Sequence, residues 1–84
     1  MDRRLVVGCM TGTSIDAIDV ALVAIEGRGL EMRPFLVRGM SRPLGDLASG
    51  LRDAAEQRPM PASQFCTLAR ELGEAHARLI SAML

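Results

Sequence analysis

Between Gly8 and Asp19 the sequence reads Gly8-Cys9-Met10-Thr11-Gly12-Thr13-Ser14-Ile15-Asp16-Ala17-Ile18-Asp19, which places three hydroxyls, two glycines and two carboxylates in one short segment. Hydroxyls and exposed backbone N–H groups donate hydrogen bonds to phosphate oxygens, and a glycine such as Gly12 lets the backbone approach a ligand closely. A nearby carboxylate can hold a hydrated Mg²⁺ that bridges phosphates, a role that falls to Asp16 acting through water. Asp19 either helps to organise such a loop or simply caps a turn. Gly, Thr, Ser and Asp are also ordinary turn formers that cap one another with no ligand, so the chemistry alone leaves a plain turn as the alternative.

Apolar runs on both sides of this segment must position it. Residues 4–10 form a short β-branched run. Residues 16–26 carry Ile18, Val20, Leu22 and Ala24 on one face and Ala21, Val23 and Ile25 on the other, the pattern of a central strand covered on both sides. Gly27 and Gly29 supply a turn, and residues 30–39 read as a third strand. Pro34 cannot donate a ladder hydrogen bond and so assigns that strand to a sheet edge. Short connections imply an antiparallel meander with strand two in the middle.

Helical spacing follows. Ser41-Arg42-Pro43 opens a helix over about 43–57, with Leu44, Leu47, Leu51 and Ala54 as its stripe, and Arg58-Pro59-Met60-Pro61 breaks it. Ser63 is an N-cap candidate for a second helix over 63–84, whose stripe is Phe65, Leu68, Leu72, Ala75, Leu79 and Met83. This helix is still in pattern at Leu84, as expected of a chain cut short rather than finished. The fold class is α/β: a three-stranded antiparallel meander followed by two helices.

Ten basic residues balance ten acidic ones, and every basic residue is Arg. Zero net charge without a basic run leaves no electrostatic footprint for nucleic acid or an anionic membrane. The absence of Lys excludes a P-loop, whose Lys must reach the β- and γ-phosphates. Cys9 and Cys66 form no CxxC pair and read as reduced, buried thiols; with His76 they are too few for a zinc site. The start, Met1-Asp2-Arg3-Arg4 through Gly8-Cys9, ends like a lipoprotein signal, but its apolar stretch is too short for one. No run could span a bilayer, so a cytoplasmic location is expected. His76 falls beside the apolar stripe of the second helix and reads as a partly exposed helix residue. The methionines read as packing filler.

Gly8-x-Met10-Thr11-Gly12-Thr13-Ser14-x-Asp16-x-x-Asp19-Val20-Ala21-Leu22 resembles the opening signature of the anhydro-N-acetylmuramic acid kinases, G-x-M-S-G-T-S-x-D-G-x-D. Ser63-Gln64-Phe65 followed by Leu72-Gly73 is similar to the family's next recognisable segment, in order and at the expected distance. The resemblance covers essentially all of this chain but only the first part of a family member. It implies the sugar kinase/Hsp70/actin superfamily, with its actin-like ATPase (ribonuclease H-like) fold, here an incomplete N-terminal lobe spanning 1–84. It further implies use of ATP, Mg²⁺ and water to open the 1,6-anhydro ring of anhydro-N-acetylmuramic acid. Phosphorylation of O6 then gives N-acetylmuramate 6-phosphate, in cytoplasmic peptidoglycan recycling.

Gly12, Thr13, Ser14, Ile15, Asp16, Ala17, Ile18 and Asp19 match the family's ATP-binding segment, which faces the phosphates. Thr11 replaces the usual Ser and keeps its hydroxyl. Ala17 replaces the usual Gly, so a positive φ there would be strained. Met10 is normal for the family, although the wider superfamily often carries Asp there. The family's catalytic base and adenosine-binding glycines lie beyond residue 84, so no catalytic residue is expected within this chain and the isolated chain is expected to be inactive. The partners implied for a complete enzyme are ATP and anhydro-N-acetylmuramic acid, with a homo-oligomer left open. The rival from another class is a non-enzymatic truncated remnant, or a small phosphate-binding or interaction module.

Overall fold

The structure, a computed structural model, describes residues 3–84. Met1 and Asp2 of the signal-like start lie outside the described residues. Three strands come first: β1 (Arg3–Thr11), β2 (Ala17–Glu26) and β3 (Arg33–Pro43), with a 3-10 turn at Gly29–Glu31 between the last two. Two helices follow, α1 (Leu47–Ala55) and α2 (Ala62–Met83). The sheet is antiparallel in the order β1-β2-β3. Val7 faces Leu22, Cys9 faces Val20 and Thr11 faces Ile18 in the first pairing. The α/β class and the meander followed by two helices match the sequence pattern.

Pro34 pairs with Ile25 and Pro43 with Ala17, both on the outer strand β3, where a missing N–H leaves no second partner unserved. The register shifts between Leu22 and Val23, whose partners are Arg38 and Leu36, so Val37 is an extra residue on β3. Such a bulge twists an edge strand and blunts it. β1, at the other edge, contains no proline, and its pairing runs without a shift.

Three features depart from the sequence pattern. First, β3 runs to Pro43, and the helix starts four residues later than Pro43 suggested. Ser41 and Arg42 pair with Asp19 and Ile18, so the ladder claims residues that in isolation look like a helix start. Gly45, at φ +62°, then makes the turn into α1 that a side chain would strain.

Second, the helices cover one sheet face only. Ile18 and Val20 are buried with Leu44, Ala48, Leu79 and Met83, while Asp19 on the opposite face of β2 is exposed. Ala21, Val23 and Ile25, on that same face, are half-buried by their strand neighbours. The apolar second face of β2 therefore has no helix of this chain against it.

Third, the stripe of α2 is engaged mainly at its carboxy-terminal end. Leu79 and Met83 are 3% exposed, whereas Phe65 is 55% exposed. Pro61 is the N-cap residue, so Ser63 lies inside the helix and does not cap it. Cys9 and Cys66 are free and exposed rather than buried.

α1 ends before the prolines. Gln57 adopts φ +59°, Gln57 N–H donates to the Ala54 carbonyl, and Arg58 N–H donates to the Asp53 carbonyl. This pair of bonds is a Schellman closure, with Gln in the left-handed position that usually takes Gly. Gly50 lies where α1 meets α2, and a Cβ there would fall 2.6 Å from a Leu68 methyl.

The molecule is extended. Its Cα radius of gyration is 16.1 Å, against about 12 Å for a compact chain of this length. Its accessible surface is 6061 Å², about a quarter above the ~4,900 Å² of a compact monomer of its mass.

Candidate functional site

The loop between β1 and β2 holds the polar residues singled out above. Gly12 leaves β1, and Ile15 N–H donates back to the Gly12 carbonyl at 3.1 Å, closing a tight turn over Thr13 and Ser14. Both of these residues are exposed. The Ser14 hydroxyl donates to Asp16 Oδ1 at 2.8 Å, which pins an exposed carboxylate beside the turn. The Asp16 carbonyl accepts from Leu44 N–H at 2.8 Å, tying the end of the loop to the segment that enters α1.

Strain in the loop falls at Ile15, with φ +51°, and not at Ala17. A β-branched residue in the left-handed region is uncommon and costs about 1–2 kcal/mol. Ile15 tolerates it because its side chain packs on the core cluster and shares a cleft with Leu51 and Leu72. Ala17 has already joined β2 opposite Pro43, so replacing the family's Gly there strains nothing.

Gly12 requires a different explanation. Its φ lies outside the left-handed region, and a Cβ built on it would meet nothing within 4 Å. Neither local conformation nor packing within this chain demands a glycine there. The open space beside Gly12 leaves room for a group from outside the chain to approach the backbone closely, as it also does at Gly8 and Gly73.

The structure separates the other two positions from this cluster. Ile18 is 2% exposed and points into the core, so it can serve the loop only through its backbone. Asp19, paired with Met10 and Ser41, lies on the sheet face opposite Ile18. Thr13, Ser14 and Asp16 are thus brought together at the turn, with Asp19 set apart on the bare face.

Their donors are hydroxyls, amides and one carboxylate, all hard oxygen or N–H groups. That set suits phosphate and hydrated Mg²⁺. Among the described residues no three His, Cys, Asp or Glu side chains converge on a metal position, so an ion at Asp16 would take its other ligands from water and phosphate. The Thr11 hydroxyl is buried with no hydrogen-bond partner among the described residues. Thr11 lines a cleft of about 310 Å³ with Gly12, Thr13, Ile15, Leu51 and Leu72. His76 donates from Nδ1 to the Leu72 carbonyl of its own helix at 2.8 Å.

One residue at the loop was not legible in the sequence. Arg52, on α1, directs Nε and Nη2 to the Ser14 carbonyl, each at 3.4 Å. Thirty-eight residues separate the two, and a lone Arg on a helix gives no signal of such a contact. Among the described residues no helix is long and apolar enough to cross a membrane.

Comparison with known proteins gives one consistent family. The chain is 39% identical over 89 aligned positions to the anhydro-N-acetylmuramic acid kinase of Rhizobium etli, covering 96% of this chain and 23% of that protein. It is 37% identical over 76 positions to the enzyme of the same name from Bacillus thuringiensis subsp. konkukian, covering 89% of this chain and 20% of that protein. A third such kinase, from Bacillus anthracis, is 36% identical over 89% of this chain and 20% of its own length. No family model and no solved structure matches the chain. It spans about a fifth of the length of the curated relatives it matches. Along nearly its whole length, and to proteins of one name, the chain is thus similar to a segment of about a fifth of an anhydro-N-acetylmuramic acid kinase.

Proposed function

We propose that residues 12–19 are the phosphate-facing loop of an ATP-dependent sugar kinase, and that this chain is the opening part of its N-terminal lobe. The observation that carries the reading is the turn itself. Exposed Thr13 and Ser14 hydroxyls and the Asp16 carboxylate are clustered beside a glycine that the fold does not need. In a complete enzyme the backbone amides and hydroxyls of Gly12, Thr13, Ser14 and Ile15 would cradle the β- and γ-phosphates of ATP. Asp16 would hold Mg²⁺ through water, and Mg²⁺ would supply charge neutralisation between the phosphates. Ala17 and Ile18 anchor the loop into β2 and the core. Asp19, on the opposite sheet face, stands apart from the turn and is given no phosphate contact.

The substrate is anhydro-N-acetylmuramic acid and the product N-acetylmuramate 6-phosphate, formed in cytoplasmic recycling of peptidoglycan. Supporting the segment reading, the chain leaves one sheet face without helices and exposes about a quarter more surface than a compact monomer of its mass. Further lobe structure packed on that face would remove the excess. On this reading the base and the adenosine site come from parts of the family outside the matched segment, and the isolated chain is inactive.

The test is a kinase assay on a family-length protein containing this segment, with and without anhydro-N-acetylmuramic acid. Asp16→Ala should lower kcat/KM about 100-fold, roughly 2.7 kcal/mol of transition-state stabilisation. His76→Ala should change it little. A larger loss from His76→Ala than from Asp16→Ala would show that the site lies elsewhere.

A further inference from the structure

Residues 8–19 contain two carboxylates and no basic side chain. A polyphosphate arriving at this loop would therefore meet net negative charge, with only neutral donors to offset it. Tertiary structure changes that balance. Arg52 projects from α1 to the Ser14 carbonyl, so its guanidinium lies beside the turn that carries the Thr13 and Ser14 hydroxyls. Its bonds at 3.4 Å are long and Arg52 is exposed, which leaves the other N–H donors of its five free to engage an anion. Arg58, the other cation near the end of α1, is occupied by Glu56 at 2.9 Å and Asp53 at 3.7 Å. Among the described residues Arg52 forms no ion pair with a carboxylate.

We propose that Arg52 is the cationic, positioning member of the phosphate loop: it holds the Ser14 carbonyl from α1 and brings to the anion site the positive charge that the loop's own sequence lacks. The proposal rests on the reading of residues 12–19 as a phosphate loop and adds to it a residue from outside that segment. Two consequences separate the roles. Holding the carbonyl needs only an N–H donor, whereas drawing in an anion needs the charge.

The experiment uses a family-length protein containing this segment and three variants, Arg52→Lys, Arg52→Gln and Arg52→Ala, titrated with Mg-ATP and with inorganic tripolyphosphate. Amide chemical shifts report the loop, and far-UV circular dichroism checks that each variant retains the fold. Wild type should show saturable shifts at Thr13, Ser14 and Ile15 in the millimolar range. Arg52→Gln, which keeps a donor and loses the charge, should weaken binding about 5- to 10-fold, the effect of one partly solvated charge-assisted bond. Arg52→Lys should stay within about 3-fold of wild type, and added salt should narrow the gap between Lys and Gln. Without ligand, exchange of the Ile15 amide should quicken in Arg52→Ala and less so in Arg52→Gln.

Equal affinity in wild type and Arg52→Gln, with the loop amides still responding, would overturn the role of Arg52 and leave the phosphate loop standing. Absence of any response at Thr13 and Ser14 in wild type up to about 50 mM ligand would overturn both.

Discussion

Ile15 offers a test in which packing and backbone strain predict opposite orders. Its side chain is half-buried against the core cluster, so truncation to Ala or Gly should forfeit about half the burial of an Ile, roughly 1 kcal/mol. At an ordinary position Gly would then be worse than Ala by a further ~0.5–1 kcal/mol, because it loses more freedom on folding. Ile15, however, has φ +51°, where any side chain with a Cβ costs about 1–2 kcal/mol and glycine costs nothing. Ile15→Ala keeps that strain and loses the contacts, so it should be destabilised by about 1 kcal/mol. In Ile15→Gly the relief of strain offsets the lost packing and the added chain entropy, and the net change should be near zero. Gly should therefore exceed Ala in stability by about 1 kcal/mol. Urea and thermal unfolding of a family-length protein containing this segment, followed by far-UV circular dichroism at one protein concentration for all variants, would measure the order. Ile15→Ala equal to or more stable than Ile15→Gly would refute the claim that the loop holds a strained left-handed residue.

Two further outcomes are expected. Gln57 is exposed and left-handed at the Schellman closure of α1, so Gln57→Gly should raise stability by about 0.5–1 kcal/mol in the same unfolding assays, and a loss would contradict that closure. The unblunted edge of β1, with Leu5 65% and Val6 43% exposed, together with the uncovered sheet face, should make the isolated chain self-associate or pack loosely. Size-exclusion chromatography giving a 9.0 kDa monomer, with a sharp two-state melt, would refute this and favour a small self-sufficient module.

Much of the fold was set by short-range pattern. The apolar run through Ile18, Val20 and Ala24 marked β2 as a strand, but with both faces apolar it suggested cover on both sides, and only the placement of the helices chose the face that is buried. Glycines and prolines placed the turns, and the three-and-four spacing of Leu72, Ala75, Leu79 and Met83 fixed the engaged face of α2. Gly12, Thr13, Ser14 and Asp16 announced a polar turn through their own chemistry. Tertiary structure decided what depends on partners distant in the chain. Ser41, Arg42 and Pro43 read locally as a helix start, yet the ladder to Asp19, Ile18 and Ala17 holds them in β3. Phe65 continues the stripe of α2, so periodicity counted it as core, yet the fold leaves it 55% exposed. Positive φ fell on Ile15, where packing against the core offsets the strain, and not on Ala17, which pairing with Pro43 keeps extended. Arg52 reached the loop only because α1 folds back beside it, a contact across thirty-eight residues that no local spacing encodes.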